Sequence, residues 1–340
     1  MLRNKHFLLG AAVSAVLLFL FLYRTDFAEM GQALKEANYV YLIPGVLIYF
    51  CGVYLRAWRW KFFLKPLGEF SSFRLFPLVV IGFMVNNLLP GRLGIVVRAY
   101  ILGEKENISK MAVGGTMVAE QVFDGIILFV LALFISIVAP LSGRIEQAVD
   151  VAAGLFSVAL LLCFLLVFSE RFRNRVINFL LLILPRRWRD AVKAWLLNMI
   201  DGLRFMRSPK QLLVTLTFSV LVWLCEAGLF YMTARSFDLG QPYYIMLLVT
   251  SVASLSWALI FVAPGGVGPF DYFCKLTMML FIPAGVASSV YEASVSAYVI
   301  VLHAVILFPV IALGFVFLWK ENFSLAKVKA IGRNQRSQKL

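Results

Sequence analysis

A small set of ionisable side chains stands inside otherwise apolar sequence: Arg92, Arg98, Glu120, Asp124, Glu226, Asp271, Lys275 and His303. Charge in such surroundings is costly, so each is a candidate for function unless a partner neutralises it. Two backbone breaks accompany them, Pro90-Gly91-Arg92-Leu93-Gly94 and Pro264-Gly265-Gly266-Val267-Gly268. A Pro-Gly break at membrane depth leaves backbone groups without helical partners, and it persists only where protein or cavity water satisfies them. The helices leaving the breaks should start near Gly94 and at Pro269, a residue suited to the first helical position, with free N–H groups facing the membrane centre. Two such helix ends, with the Arg92 guanidinium at one tip, would make an anion site for phosphate or carboxylate. The plainer alternative is that each Pro-Gly pair marks a loop between ordinary spans. Two copies in register, with opposite flanking charge, favour the site.

Spacing suggests partners. Glu120 and Asp124 lie one helical turn apart, and Arg98 could pair with them. Glu226 sits deep in an apolar run with no partner nearby in sequence. Asp271 and Lys275 are i, i+4 neighbours, so a structural pair holding a hairpin arm competes with a role in binding. His303, five residues after Tyr298, reads first as a satisfied packing histidine. Glu226, Lys275 and His303 are also candidates for coupling transport to an ion.

The elements that must position these residues follow from the bulk of the chain. Its 340 residues are 61% hydrophobic and 15% charged, with a mean hydropathy of +0.87. That is too much apolar surface for a soluble core and too little charge to cover it. The expected fold is an all-α polytopic integral membrane protein. The formal charge of +14 would suggest nucleic acid in a soluble protein, but here Lys and Arg cluster beside apolar runs, as membrane orientation requires. Nucleic acid is therefore not an expected partner. Cys51, Cys163, Cys225 and Cys274 lie apart in apolar segments and read as small hydrophobes, with no metal-type spacing.

Hydropathy and charge give a span map. Residues 7–23 form a retained signal anchor with no small-residue cleavage site, and 39–57 cross back to a cytoplasmic basic loop holding Arg56, Arg59, Lys61, Lys65 and Arg74. The run 75–89 is too short to span and is flanked by basic residues on both sides, so it begins a re-entrant hairpin tipped by the first break. Residues 111–139, 151–168, 211–234 and 290–319 complete about six full crossings. The segment 169–210 carries ten basic residues and is assigned to the cytoplasmic interface, with 188–206 an amphipathic surface helix. Residues 245–263 and 269–283 form a second hairpin entering from the opposite face. On this reading the chain is one transmembrane domain. A first repeat covers 73–140 and a second, inverted repeat 243–319, followed by a basic cytoplasmic tail at 320–340. Both termini are cytoplasmic.

The motifs Leu88-Leu89-Pro90-Gly91-Arg92-Leu93-Gly94 with Arg98, Val118-Ala119-Glu120-Gln121-Val122-Phe123-Asp124 and Ala263-Pro264-Gly265-Gly266-Val267-Gly268 occur in that order. Together they resemble the lysylphosphatidylglycerol synthase transmembrane-region family, also called the flippase-like domain family. The likeness covers nearly the whole membrane part. It implies that Pro90, Gly91, Arg92, Gly94, Arg98, Glu120, Asp124 and the loop Pro264, Gly265, Gly266 and Gly268 shape a lipid head-group site in a bacterial cytoplasmic membrane. Asp271 stands where an acid, often glutamate, follows the second motif. Ile95 replaces a frequent acid and Gln121 a frequent arginine, so the resemblance does not extend to the substrate of the best-known members. The chain ends shortly after Trp319, and the expectation is a free-standing member without a synthase domain.

The leading expectation is a flippase that moves an anionic phospholipid or polyprenyl-phosphate lipid between leaflets, its head group held between the two hairpins. A secondary carrier for a soluble organic anion is the alternative. An intramembrane lipid-modifying enzyme is the reading from a different class. Against it, His6 and His303 are the only histidines, no His-Glu metal motif is present, and no serine or cysteine stands near a base. No cofactor and no metal are expected. Candidate protein partners are a second copy of the chain or a lipid-synthesis enzyme.

Overall fold

The computed structural model describes residues 5–23, 25–89, 91–138, 165, 169–183, 189, 192–193, 197, 208–259 and 264–320. Among these, every long element is a helix: α1 (Lys5–Leu22), α2 (Phe27–Glu36), α3 (Leu42–Leu64), α4 (Ser72–Leu88), α5 (Leu93–Lys105), α6 (Lys110–Val138), α7 (Glu170–Ile183), α8 (Pro209–Ser236), α9 (Tyr243–Leu259), α10 (Pro269–Met278) and α11 (Ser288–Lys320). Four helices, α3, α6, α8 and α11, are long and apolar enough to cross a membrane. A fifth crossing is added if α1 and α2, bent by 80°, count as one. Asp26 caps α2 by accepting from the N–H groups of Ala28 and Glu29. The expected crossing at 151–168, most of the surface helix at 188–206 and the tail from 321 lie outside the described residues.

Local signals explain the boundaries. Pro209 and Pro269 occupy the first turns of α8 and α10, where the missing N–H costs nothing. Between α4 and α5 the chain leaves the helix at Leu89, and Gly91 and Arg92 both take positive φ, 84° and 52°. Left-handed backbone is unusual at a non-glycine residue and costs about 1–3 kcal/mol. Gly94 then allows the hairpin to close, since a Cβ there would lie 2.0 Å from the Gly82 carbonyl oxygen.

In chain order most of the molecule falls into two four-helix units, α3–α6 and α8–α11, which pack extensively on each other. Within each, a long helix is followed by a two-armed helical hairpin, α4/α5 or α9/α10, and a second long helix. Between units the same pairing occurs twice: α6 packs on α9, and α11 packs on α4. The lead helices α3 and α8 pack on each other and run antiparallel. Gly45 faces Leu229 and Met232, Gly52 faces Cys225, and Trp58 stacks on Phe218 with ring centroids 3.7 Å apart. Glycine at 45, 52 and 228 lets the two backbones approach, as small residues do between membrane helices. One hydrophobic cluster runs through both units. Large apolar side chains such as Phe134, Phe308 and Trp319 face outward, which an acyl-chain environment tolerates and water would not.

One boundary differs from the sequence reading in a way that matters. The sequence reading ends this crossing at 57 and counts Arg56 and Arg59 with the cytoplasmic basic loop, yet α3 continues through Leu64 and carries both inside the helix bundle, 8% and 0% exposed. Lys61, Lys65 and Arg74 stay outside the core. Counting basic residues treats all of them alike, whereas Arg56 and Arg59 have buried carboxylate partners on distant helices and Arg74 meets Glu106 only at the exposed surface.

Candidate functional site

Arg56 and Arg59 are one turn apart on α3, and Glu120 and Asp124 one turn apart on α6, so each pair presents a single face. Where these faces meet, Arg59 donates to both oxygens of Asp124, Nη1 to Oδ1 at 2.5 Å and Nη2 to Oδ2 at 2.9 Å. It also donates to Glu120 Oε1 at 3.1 Å and Ser219 Oγ at 2.9 Å. Arg56 reaches Glu226 Oε2 at 3.1 Å and Asp124 Oδ2 at 3.5 Å, with its guanidinium 4.5 Å from the Trp223 ring. Arg98, from the outgoing arm of the first hairpin, reaches Glu120 Oε2 at 3.5 Å and lies 4.0 Å over the Trp60 ring. Buried charges are tolerated only when paired and hydrogen-bonded, and this network pairs each carboxylate with arginine.

Arg92 is different. From the hairpin tip, its Nη1 donates to Gln121 Oε1 at 2.8 Å and its Nη2 to the Trp257 carbonyl at 3.4 Å. Both acceptors are neutral. The cluster therefore holds four guanidinium groups, Arg56, Arg59, Arg92 and Arg98, against three carboxylates, Glu120, Asp124 and Glu226. The formal surplus is one positive charge, and it sits on the left-handed tip residue.

Against this cluster lies a cavity of 190 Å³ bounded by the first hairpin, α3, α6, α8 and α9. Arg56, Arg92, Arg98, Glu120, Asp124 and Glu226 all reach its wall, together with Gly94 and the side chains of Asn86, Gln121, Trp223 and Trp257. One water needs at least about 10–15 Å³, so the space admits several solvent molecules or one small anionic group.

The second hairpin's candidates lie elsewhere. Gly265 packs against the Asn87 carbonyl and Leu307, behind the cavity wall, and Gly265, Gly266 and Gly268 do not line the cavity. Pro90, and the side chain of Pro264, lie outside what the structure describes; Gly91 is exposed with open space around it. Asp271 and Lys275 do not pair with each other. Asp271 Oδ1 meets His303 Nδ1 at 2.6 Å and its Oδ2 accepts from the Gly268 N–H at 2.8 Å. Lys275 donates to Glu292 at 2.9 Å, to the Phe21 carbonyl at 2.9 Å and to Thr25 Oγ1 at 2.9 Å. The i, i+4 geometry allowed an Asp271–Lys275 pair, but α11 and the end of α1 offer each residue a partner across the packing interface. His303 is satisfied on both ring nitrogens, the second meeting the Gly265 carbonyl at 2.9 Å.

Glu226, without a partner in its own segment, is reached by Arg56 from 170 residues away. At each of the expected open helix ends a side chain caps one N–H. The Gly94 N–H is taken by Asn86 Oδ1 at 2.8 Å and the Gly268 N–H by Asp271. Positive charge at the cavity thus comes from guanidinium groups rather than from bare helix termini. Sequence reasoning missed Arg56, Arg59, Asn86 and Trp223. A signal for the first two existed: two arginines in one turn of an aromatic-rich run that is apolar enough to continue a helix. Among the described residues no group of three His, Cys, Asp or Glu is arranged to hold a metal.

These features define an all-helical membrane protein with a charged cavity between two helical hairpins. The chain belongs to the lysylphosphatidylglycerol synthase transmembrane-region family, whose sequence profile spans residues 7–314. It is 26% identical over 281 residues to a UPF0104 membrane protein of Methanothermobacter thermautotrophicus, covering 78% of this chain and 82% of the relative. A UPF0104 membrane protein of Pyrococcus horikoshii is 25% identical over 286 residues, covering 78% and 84%. One from Methanocaldococcus jannaschii is 28% identical over 189 residues, covering 55% and 76%. No solved structure matches the chain.

Proposed function

We propose that the protein is a lipid transporter that moves a lipid with an anionic, phosphate-bearing head group between the leaflets of the cytoplasmic membrane. The observation that carries the reading is the surplus guanidinium of Arg92, held in left-handed backbone at a hairpin tip and facing a charged cavity inside a membrane protein. Strained backbone at a hairpin tip needs a return, and a bidentate phosphate contact supplies one. The 190 Å³ of space suits a head group and excludes acyl chains, so the tails remain in the bilayer while the head group enters. Such a protein works by binding and exposure to the two faces and is not an enzyme.

The topology supports alternating access. On this reading α4/α5 and α9/α10 are re-entrant hairpins within six crossings, both termini are cytoplasmic, and the two units form an inverted repeat. The antiparallel course of α3 and α8 and the matched pairs α6 with α9 and α11 with α4 are what such a repeat requires. The cavity's size also admits a small soluble organic anion, which is the competing reading.

The test is flipping of head-group-labelled lipids in reconstituted vesicles, with anionic and zwitterionic labels. We expect protein-dependent movement of the anionic label, lost in Arg92→Ala and Arg98→Ala. Equal, leak-like rates for all labels and variants would sink the flippase reading. Saturable uptake of labelled organic anions by the same vesicles would then favour the soluble carrier.

A further inference from the structure

His303 and Asp271 are buried, 7% and 5% exposed, where the second hairpin packs on α11. The hydrogen-bond inventory of this pair is tightly constrained. His303 Nε2 lies 2.9 Å from the Gly265 carbonyl oxygen, which can only accept, so Nε2 carries a hydrogen. A neutral ring then has a bare Nδ1. Yet Nδ1 lies 2.6 Å from Asp271 Oδ1, and two bare acceptors do not approach so closely when buried. Asp271 Oδ2 is already accepting from the Gly268 N–H. One proton must therefore lie between Nδ1 and Oδ1, whichever atom it is assigned to.

We propose that His303 and Asp271 form a proton-binding site whose occupancy fastens the tip of the second hairpin to α11. This deepens the transporter reading by adding a coupling ion, and rests on it for its role in transport. With the proton bound, the pair is neutral and makes three contacts, to Gly265, to Gly268 and across Nδ1–Oδ1. When the proton leaves to water, the pair carries a charge of −1 and two lone pairs face each other in a buried site. The Nδ1–Oδ1 contact breaks, and the bonds at Gly265 and Gly268 lose their anchor.

The tip is built to respond. Gly265, Gly266 and Gly268 take φ of 63°, 77° and 95°, and the Gly265 position touches the Asn87 carbonyl at the end of the first hairpin's incoming arm. Trp257, on the incoming arm of the second hairpin, accepts from Arg92. Loosening the tip therefore acts on the wall of the head-group cavity.

Neighbouring charges do not replace the proton. On α10, Lys275 is committed to Glu292 of α11, and Cys274 is buried beside Asp271. On α11, the Tyr298 hydroxyl is engaged with Met246 sulfur, and Tyr291 accepts from Gln241. Among the remaining described titratable side chains on α1, α4, α9, α10 and α11, Tyr272 follows Asp271 on α10 with its ring 5.4 Å from that of Phe273, while Tyr23 beyond α1, Tyr243 and Tyr244 at the start of α9, Arg74 at the start of α4 and Lys320 at the end of α11 lie at the far ends of their elements.

The test is hydrogen–deuterium exchange at the amides of residues 265–268 and 270–272 in the reconstituted full chain, from about pH 5 to about pH 9. If opening requires loss of one proton, protection falls about tenfold per pH unit beyond the intrinsic dependence over the range in which the closed tip holds the proton and the open tip has lost it. His303→Gln and Asp271→Asn should remove that extra slope. A flat wild-type profile, or the same slope in both variants, overturns the proposal.

A second measurement does not depend on variants of the pair. The chain has two histidines, so nitrogen-15 labelling in a His6→Gln background reports His303 alone. Hydrogen on Nε2 with a proton shared at Nδ1 is expected; a neutral ring with hydrogen on Nδ1 and a bare Nε2 overturns the site. Neither readout uses transport. Failure of lipid flipping with an intact exchange slope would refute the transporter and leave the proton site standing, while flipping with a flat slope would do the reverse.

Discussion

The two hairpins carry similar Pro-Gly breaks, but the charges around them are used differently. Around the first, the arginines and acids gather on a cavity wall and leave one guanidinium, Arg92, with neutral partners. Around the second, the charges close on one another: Asp271 with His303, and Lys275 with Glu292, Thr25 and the Phe21 carbonyl. Repeated architecture thus gives one half that can bind an anion and one half that holds the bundle together. The difference lies in whether a charge finds a buried opposite charge within its own half.

That contrast can be broken most severely at Arg59. It is fully buried and shared between two acids and Ser219, so Arg59→Ala leaves Glu120 and Asp124 short of a partner. The expected loss is about 3–5 kcal/mol, read as a large drop in thermal stability in detergent or failure to purify a monodisperse protein. An unchanged melting temperature would mean that the network is not formed.

Gly94→Ala tests the first hairpin's geometry. Its Cβ would meet the Gly82 carbonyl at 2.0 Å and Asn86 Oδ1 at 2.6 Å. Forced separation of the arms should cost about 1–3 kcal/mol and abolish head-group selectivity. The control is Gly125→Ala on α6, where an added Cβ meets nothing within 4 Å; its stability should match wild type.

Lys275→Met addresses the holding half. It removes three contacts at once and leaves Glu292, 22% exposed at its side chain, without its cation. A loss of about 1–3 kcal/mol is expected, with the preference for anionic over zwitterionic label retained in the folded fraction. Lost preference with unchanged stability would reverse the roles assigned to the two halves.

Arg92→Gly should separate binding from stability most cleanly. Glycine accepts the left-handed backbone without strain, so stability should rise by about 1 kcal/mol while movement of the anionic label falls to background. The smallest effect is expected from Gln121→Glu. A carboxylate 2.8 Å from Arg92 would neutralise the surplus charge; the melting temperature should hold within a few degrees while the preference for the anionic label narrows.

Much of the architecture was legible in the chain. The breaks at 90–94 and 264–268, the arms that flank them and the long helices at 110–138 and 288–320 follow from hydropathy, Pro and Gly alone. The pairing of Arg98 with Glu120 followed from hairpin adjacency. Less legible was α2, whose polar sequence gives no span signal, and the end of α3, where positive charge imitated a cytoplasmic loop.

By itself, the sequence determined the membrane class, the two broken segments and the helical turn shared by Glu120 and Asp124, because hydropathy, helical period and backbone breaks are properties of neighbouring residues. Only the tertiary structure decided that Arg56 and Arg59 belong to the site, that Glu226 is paired, that Asp271 turns to His303 instead of Lys275, and that the first hairpin's tip reaches the cavity while the second's does not. Those choices link residues 61 to 170 positions apart in the first network. Which buried charge meets which is set by the crossing of α3, α6 and α8, and no local spacing records it.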